Sequence, residues 1–180
     1  AAELVSSLVE GFSGPLVLDA DALHLLGPDL ARLRSGPGPR LLTPHPGELA
    51  RLLEVTVAAV EADRFGAVAR AVELTGAVVL LKGPRTLIAA PNAPIAVNST
   101  GNPVLAVGGA GDVLTGIAVA FACRLPLREA AMAAAYVHGK AADRWSRRRR
   151  SDRGLLAREI ADQLPAVFAE LTAPRERMPI

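Results

Sequence analysis

Aromatic residues are scarce in this sequence: 3% of it, with one Trp, one Tyr and four Phe. A chain so composed offers no aromatic platform for stacking bases, and its core must be built from Ala, Val and Leu. Cysteine is scarcer still. Cys123 stands alone, so no disulfide can form within the chain. It lies in an apolar helical run, where a small core side chain is expected, and this cysteine usage suits a cytoplasmic protein. Net charge is nearly absent, at +2, which gives no global electrostatic reason to bind nucleic acid. No basic region precedes the apolar residues at Ala1-Ala2-Glu3-Leu4-Val5, so no signal peptide is expected. The longest uncharged stretch, Thr86 to Gly111, is interrupted by prolines, asparagines and glycines, so no membrane span is expected.

What is present is 180 residues that are 51% hydrophobic, enough for one domain with a sizeable core. Leu16-Val17-Leu18, Leu41-Leu42-Thr43 and Ala77 to Leu81 read as short buried strands. Thr86 to Ala90 and Ile95 to Asn98 read as two more, joined by the turn Pro91-Asn92-Ala93-Pro94. Helices are predicted at Ala2 to Glu10, Pro46 to Glu54, Val57 to Thr75, Gly111 to Cys123, Leu127 to Trp145 and Leu155 to Leu171. Strands alternating with helices imply a layered α/β sheet, whose ligands bind beyond the carboxyl ends of the strands. Asp19 and Asp21, His45, Lys82 and a glycine loop would then gather along one edge.

That loop, Gly108-Gly109-Ala110-Gly111-Asp112, immediately precedes an apolar helical run. Small residues let backbone amides approach an anion, and the positive end of the helix points at the same place. Asp112 can take a proton there from a hydroxyl, or it can simply cap the helix. No Walker lysine follows, and the glycine spacing does not match a dinucleotide fingerprint. In Thr43-Pro44-His45-Pro46-Gly47-Glu48 two prolines fix the backbone around an imidazole, which can bond a substrate or merely face water. Glu48 suits the first turn of a helix. Lys82-Gly83-Pro84-Arg85-Thr86 can grip a phosphate or form a solvated turn. Asn98-Ser99-Thr100-Gly101-Asn102 can orient phosphate or water, or satisfy a turn. Asp19 and Asp21 can meet a metal through water or cap the next helix, with capping favoured for Asp21. The arginine run 147–150 reads as a solvated helix end.

Taken in order, several runs closely resemble the NAD(P)H-hydrate dehydratases of the ribokinase-like superfamily. They are Val17-Leu18-Asp19-Ala20-Asp21-Ala22-Leu23, the run around His45, Lys82-Gly83 with Thr86, Thr100-Gly101-Asn102, Gly108 to Gly116, and Arg153-Gly154-Leu155-Leu156-Ala157 with Leu164-Pro165. The resemblance implies a three-layer α/β/α fold with a mostly parallel central sheet. It also implies that residues 1–180 are a single partial domain whose amino-terminal part is missing, with an exposed sheet edge as a consequence. The implied activity is repair of NADH or NADPH hydrated on the nicotinamide ring. ADP or ATP, with Mg2+, phosphorylates the ring hydroxyl, and phosphate then leaves. By the same resemblance, His45 and Asp112 contact the hydrate and Asp112 activates its hydroxyl. Lys82, Gly83, Pro84, Arg85, Thr86 and Gly111 line the nucleotide site, and Gly109, Ala110 and Gly111 form an anion hole. No tightly held metal, no nucleic acid and no membrane are implied, and the full-length protein is expected to be a homo-oligomer.

The sequence departs from the family pattern at two positions: Ala110 replaces a usual threonine, and His24 stands where an asparagine is usual. The Ala110 change and the short amino end keep two other readings open. One is a ribokinase-like small-molecule kinase. The other is a noncatalytic nucleotide-binding module.

Overall fold

A computed structural model describes residues 1–27 and 29–173. The strands are β1 (Leu16–Leu18), β2 (Arg40–Leu42), β3 (Val78–Leu81), β4 (Leu87–Ala89) and β5 (Ala96–Val97). The helices are α1 (Ala2–Gly11), α2 (Asp21–Leu26), α3 (Ala31–Ser35), α4 (Pro46–Leu52), α5 (Val57–Ala62), α6 (Arg64–Thr75), α7 (Ala110–Ala122), α8 (Leu127–Arg149) and α9 (Ala157–Thr172). The sheet order is β1-β2-β3-β4-β5. β1, β2 and β3 pair in parallel, whereas β4 pairs antiparallel with both β3 and β5. Four of the five strands therefore point the same way, and only β4 is reversed. Among the described residues β1 bonds only β2 and so forms one edge of the sheet.

Side-chain alternation sends successive strand residues to opposite layers. Leu41, Leu80 and Ile88 pack against α7 and α8 through Leu114, Ile117, Ala118, Ala130, Ala131 and Ala134. Val79, Leu81, Leu87 and Ala89 face the other way, onto Leu49, Val60 and Val68 of α4, α5 and α6. Leu18 and Leu42 meet α1, α2 and α3 through Val9, Leu23 and Leu33. The result is helix, sheet, helix, the three-layer architecture expected. Small alanines on α8 let it lie close to α7, and a separate cluster of Val137, Ala141, Trp145, Ile160 and Val167 fastens α9. No described helix is long and apolar enough to cross a membrane.

Several local expectations are corrected. The helix expected over Val57 to Thr75 is two. Asp63 takes a non-helical backbone (φ −141°, ψ 78°), and its carboxylate accepts from the Gly66 amide at 2.8 Å to start α6. The helix from Pro46 stops at Leu52, and Glu54 turns to φ 54°. α8 runs on to Arg149, so most of the arginine run is its last turn. Cys123 caps α7 and is exposed, where a core residue was expected. Asp21 opens α2 from its first position but makes no side-chain cap bond, because the N-cap is Ala20.

Candidate functional site

The carboxyl ends of β1, β2 and β3 each release a polar segment at one edge of the sheet. Asp19 follows β1, and its carboxylate holds the Lys82 ammonium at 2.7 Å and accepts from the Thr115 hydroxyl at 2.5 Å. Lys82 follows β3, and its amide donates to the Pro44 carbonyl at 2.8 Å, which ties the β3 end to the β2 end. The Lys82 ammonium is also 3.5 Å from Glu48. Burial pushes the Asp19 pKa up, but Lys82 and the hydroxyls of Thr115 and Thr43 outweigh it and hold the carboxyl below its usual range. Thr115 lies one turn into α7, so this network locks the start of that helix to β1 and β3.

His45 is the N-cap of α4. Its Nδ1 accepts the amides of Gly47 at 3.0 Å and Glu48 at 3.2 Å, while the Glu48 carboxylate accepts the His45 amide at 2.6 Å. This is a reciprocal capping box. Nδ1, engaged as an acceptor, carries no proton, so Nε2 carries it in the neutral ring. The side chain remains 57% exposed, with Nε2 3.6 Å from a Glu48 carboxylate oxygen. His24, on α2, contacts the Arg51 guanidinium of α4.

The glycine loop turns into α7 at Gly109, whose φ of 84° is the left-handed region that favours glycine. The Ala110 amide is engaged with the Val107 carbonyl at 3.3 Å. Among the described residues, the amides of Gly111 and Asp112 reach no backbone carbonyl. A Cβ built on Gly111 would stand 3.7 Å from the Lys82 ammonium, which puts the loop and the cation side by side. The Asp112 side chain is exposed and has no partner among the described residues.

Beside this edge lies a cavity of about 550 Å³. Lys82, Gly83, Pro84, Arg85, Thr86 and Gly111 all line it. Its far wall is apolar, with Pro103, Leu105 and Leu114. The 82–86 turn is held open by backbone conformation: Gly83 has φ 133° and Arg85 φ 52°. The Thr86 hydroxyl donates to the Gly83 carbonyl at 3.1 Å. A Cβ on Gly83 would come within 2.7 Å of the Arg64 guanidinium, which itself donates to the Lys82 carbonyl.

A family model described as NAD(P)H-hydrate dehydratase matches residues 2–166. The chain belongs to this family. It is 47% identical over 161 residues to the ADP-dependent (S)-NAD(P)H-hydrate dehydratase of Neisseria meningitidis, a match that covers 88% of this chain and 54% of that protein. The crystal structure of ADP/ATP-dependent NAD(P)H-hydrate dehydratase from Bacillus subtilis, co-crystallised with ATP/Mg2+, is 37% identical with a TM-score of 0.78; it covers 87% of this chain and 55% of that one. A ribokinase-like superfamily protein from Enterococcus faecalis, at 24% identity and TM-score 0.77, shares the fold over 96% of this chain and 59% of its own. The chain thus spans little more than half the length of these relatives.

Not every candidate NAD(P)H-hydrate dehydratase residue of the sequence faces the cavity as a free group. Asn98 donates to the carbonyls of Thr100 and Ala135, and Asn102 donates to Asp143 at 2.9 Å. Their side chains therefore pin the 98–102 segment to α8. Asp143 also accepts the Gly101 amide at 3.0 Å. Within the arginine-rich end of α8, Arg144 pairs with Glu170, and Arg149 pairs with Glu159 at 3.4 Å while lying over Trp145. Two participants are new: Thr115, hidden in an apolar helical pattern, and His138, a lone histidine in an alanine-rich helix. Thr115 falls within the Gly108 to Gly116 run, where residue type alone gives it no role, and nothing in the local sequence marks His138.

Proposed function

We propose that this chain carries the catalytic edge of a nucleoside-phosphate-dependent NAD(P)H-hydrate dehydratase, acting in the longer protein to restore hydrated NADH or NADPH. The observation that carries the reading is the single cavity lined by all six residues assigned from the family pattern to a nucleotide, with Ala110 of the glycine loop also in its wall. Its apolar wall suits a base, and its Lys82-side rim suits phosphates.

In this reading the hydrate's ring hydroxyl attacks the terminal phosphorus of ADP or ATP, and Asp112 takes the hydroxyl proton. The bond from that phosphorus to the leaving nucleotide breaks, so AMP or ADP departs. Gly111 and its neighbours meet the charge on the transferred group. Phosphate then leaves the ester with the C–O bond pair, the adjacent carbon gives up a proton, and the ring double bond returns. Phosphorylation is what converts a poor leaving group into a good one. His45 serves the hydrate through Nε2–H.

No group of three or more His, Cys, Asp or Glu side chains that could hold a metal ion occurs among the described residues. Asp19 is occupied by Lys82, whereas Asp112 is unpartnered among the described residues. These side chains fit Mg2+ that arrives on the nucleotide phosphates, where it would neutralise their charge. A cytoplasmic site of action and a homo-oligomeric longer protein belong to the same reading.

The test is recovery of reduced-nicotinamide absorbance from hydrated NADPH with Mg2+ and either ADP or ATP, for this chain and the longer protein side by side. Recovery in the longer protein is expected. A stable phosphate ester without recovery would point to a kinase and refute the dehydratase reading. Nucleotide binding without turnover in both would point to a noncatalytic module.

A further inference from the structure

His138 is 7% exposed in the middle of α8, and its Nε2 lies 3.0 Å from the Ala110 carbonyl oxygen. A carbonyl can only accept, so Nε2 carries the proton. Burial lowers the ring's pKa to about 4, so it stays neutral and keeps this donor at physiological pH. Its neighbours Ala134, Ala135, Ala141 and Ala142 are buried and apolar. An aliphatic side chain would fill this site without the cost of desolvating an imidazole. The ring also lines the cavity that holds Gly111 and Lys82.

We propose that His138 is a positioning residue for the anion hole: by donating to the Ala110 carbonyl it fixes and polarises the Ala110–Gly111 peptide whose amide meets the transferred phosphoryl group. This inference rests on the dehydratase reading. In a trans peptide the C=O and N–H point in opposite directions. Holding the Ala110 carbonyl toward α8 therefore aims the Gly111 amide the other way, out of the first turn of α7. That amide is unpaired among the described backbone groups, as anion binding requires. A hydrogen bond to the carbonyl also makes the same peptide a better donor. His138 thus acts through Ala110, a residue whose own side chain carries no hydroxyl to help.

The test compares His138→Leu and His138→Gln in the longer protein, with kcat, the dissociation constant of ADP and the melting temperature all measured. The leucine variant is expected to lose about tenfold or more in kcat, since a whole oxyanion donor contributes about a hundredfold or more. ADP affinity should stay near that of the wild type, and glutamine, whose side-chain amide can still donate, should restore most of kcat. Unchanged kcat in the leucine variant would overturn the proposal. So would a kcat loss matched by an equal loss of ADP affinity, or a folded glutamine variant without rescue. If the wild type itself does not turn over, the dehydratase reading fails first. Nitrogen NMR of His138 in the unsubstituted chain tests the geometry without any variant: an Nε2–H neutral ring is expected. An Nδ1–H ring, or a charged ring at neutral pH, would overturn the proposal even if both variants fail to fold.

Discussion

Replacing Asp19 by asparagine (Asp19→Asn) removes a charge from the centre of the site while keeping its shape. The side chain of Asp19 is 9% exposed and that of Lys82 19%, so water screens their 2.7 Å contact poorly. Breaking a fully buried pair by removing one partner costs about 3–5 kcal/mol, because the other charge is left uncompensated. Here Lys82 keeps Glu48 at 3.5 Å and some solvent, and the amide oxygen of the substituted side chain can still accept from Thr115. The expected loss is therefore smaller, about 2–3 kcal/mol at neutral pH. The sign of its pH dependence follows from Asp19 being held below its ordinary value. A carboxylate with a depressed folded-state pKa contributes stability above its unfolded value of about 4 and loses it as the pH falls through the folded value. Urea unfolding of both proteins should give a wide gap at pH 7 that narrows below about pH 4. A gap that does not change between pH 7 and pH 3, or one below about 0.5 kcal/mol at pH 7, would refute the reasoning.

Asp112→Asn in the longer protein is expected to lower kcat by about a hundredfold or more with nucleotide affinity retained, read by hydrate recovery and calorimetry. His45→Asn should keep the α4 cap and so the melting temperature, while raising KM for the hydrate. His45→Ala should in addition cost about 1 kcal/mol of stability on urea unfolding. Gly139→Ala would place a Cβ 2.6 Å from the Thr100 carbonyl carbon and 2.7 Å from the Gly101 nitrogen, so a loss of about 1–3 kcal/mol on unfolding is expected.

The layers were legible because short apolar runs such as Leu41-Leu42 and Val78 to Leu81 have few other uses, and the gathering of Asp19, His45 and Lys82 follows from the ligand rule for such sheets. Breaks within helices were not legible. Asp63 is compatible with a continuous helix until its carboxylate captures the Gly66 amide, a local choice that tertiary packing decides. The roles of Asn98 and Asn102 were open for a related reason. Each is a turn residue by type, and only the approach of α8, permitted by Gly139, turns them into anchors for it. Thr115 and His138 are invisible for a third reason. Each acts on a residue far away in sequence, Asp19 or Ala110, and a one-dimensional pattern does not encode that distance.

The two carboxylates at the edge illustrate why environment assigns roles that residue type cannot. Asp19 and Asp112 each sit at the end of an element, and either spacing is compatible with a base. A base needs a lone pair free to take a proton, and Asp19 has committed its oxygens to Lys82 and Thr115. To accept a proton it would have to give up an ammonium it holds at 2.7 Å, which is why its carboxyl resists protonation. Asp112 is exposed and without a partner among the described residues. In the proposed reaction, its position beside the unpaired Gly111 amide would place proton acceptance and anion stabilisation on adjacent residues of one helical turn. Asp19, by clamping Thr115, keeps that turn where the Lys82 ammonium and the cavity are. One carboxylate supplies the geometry and the other is left available for the chemistry, a division that rests on which of them the lysine reaches.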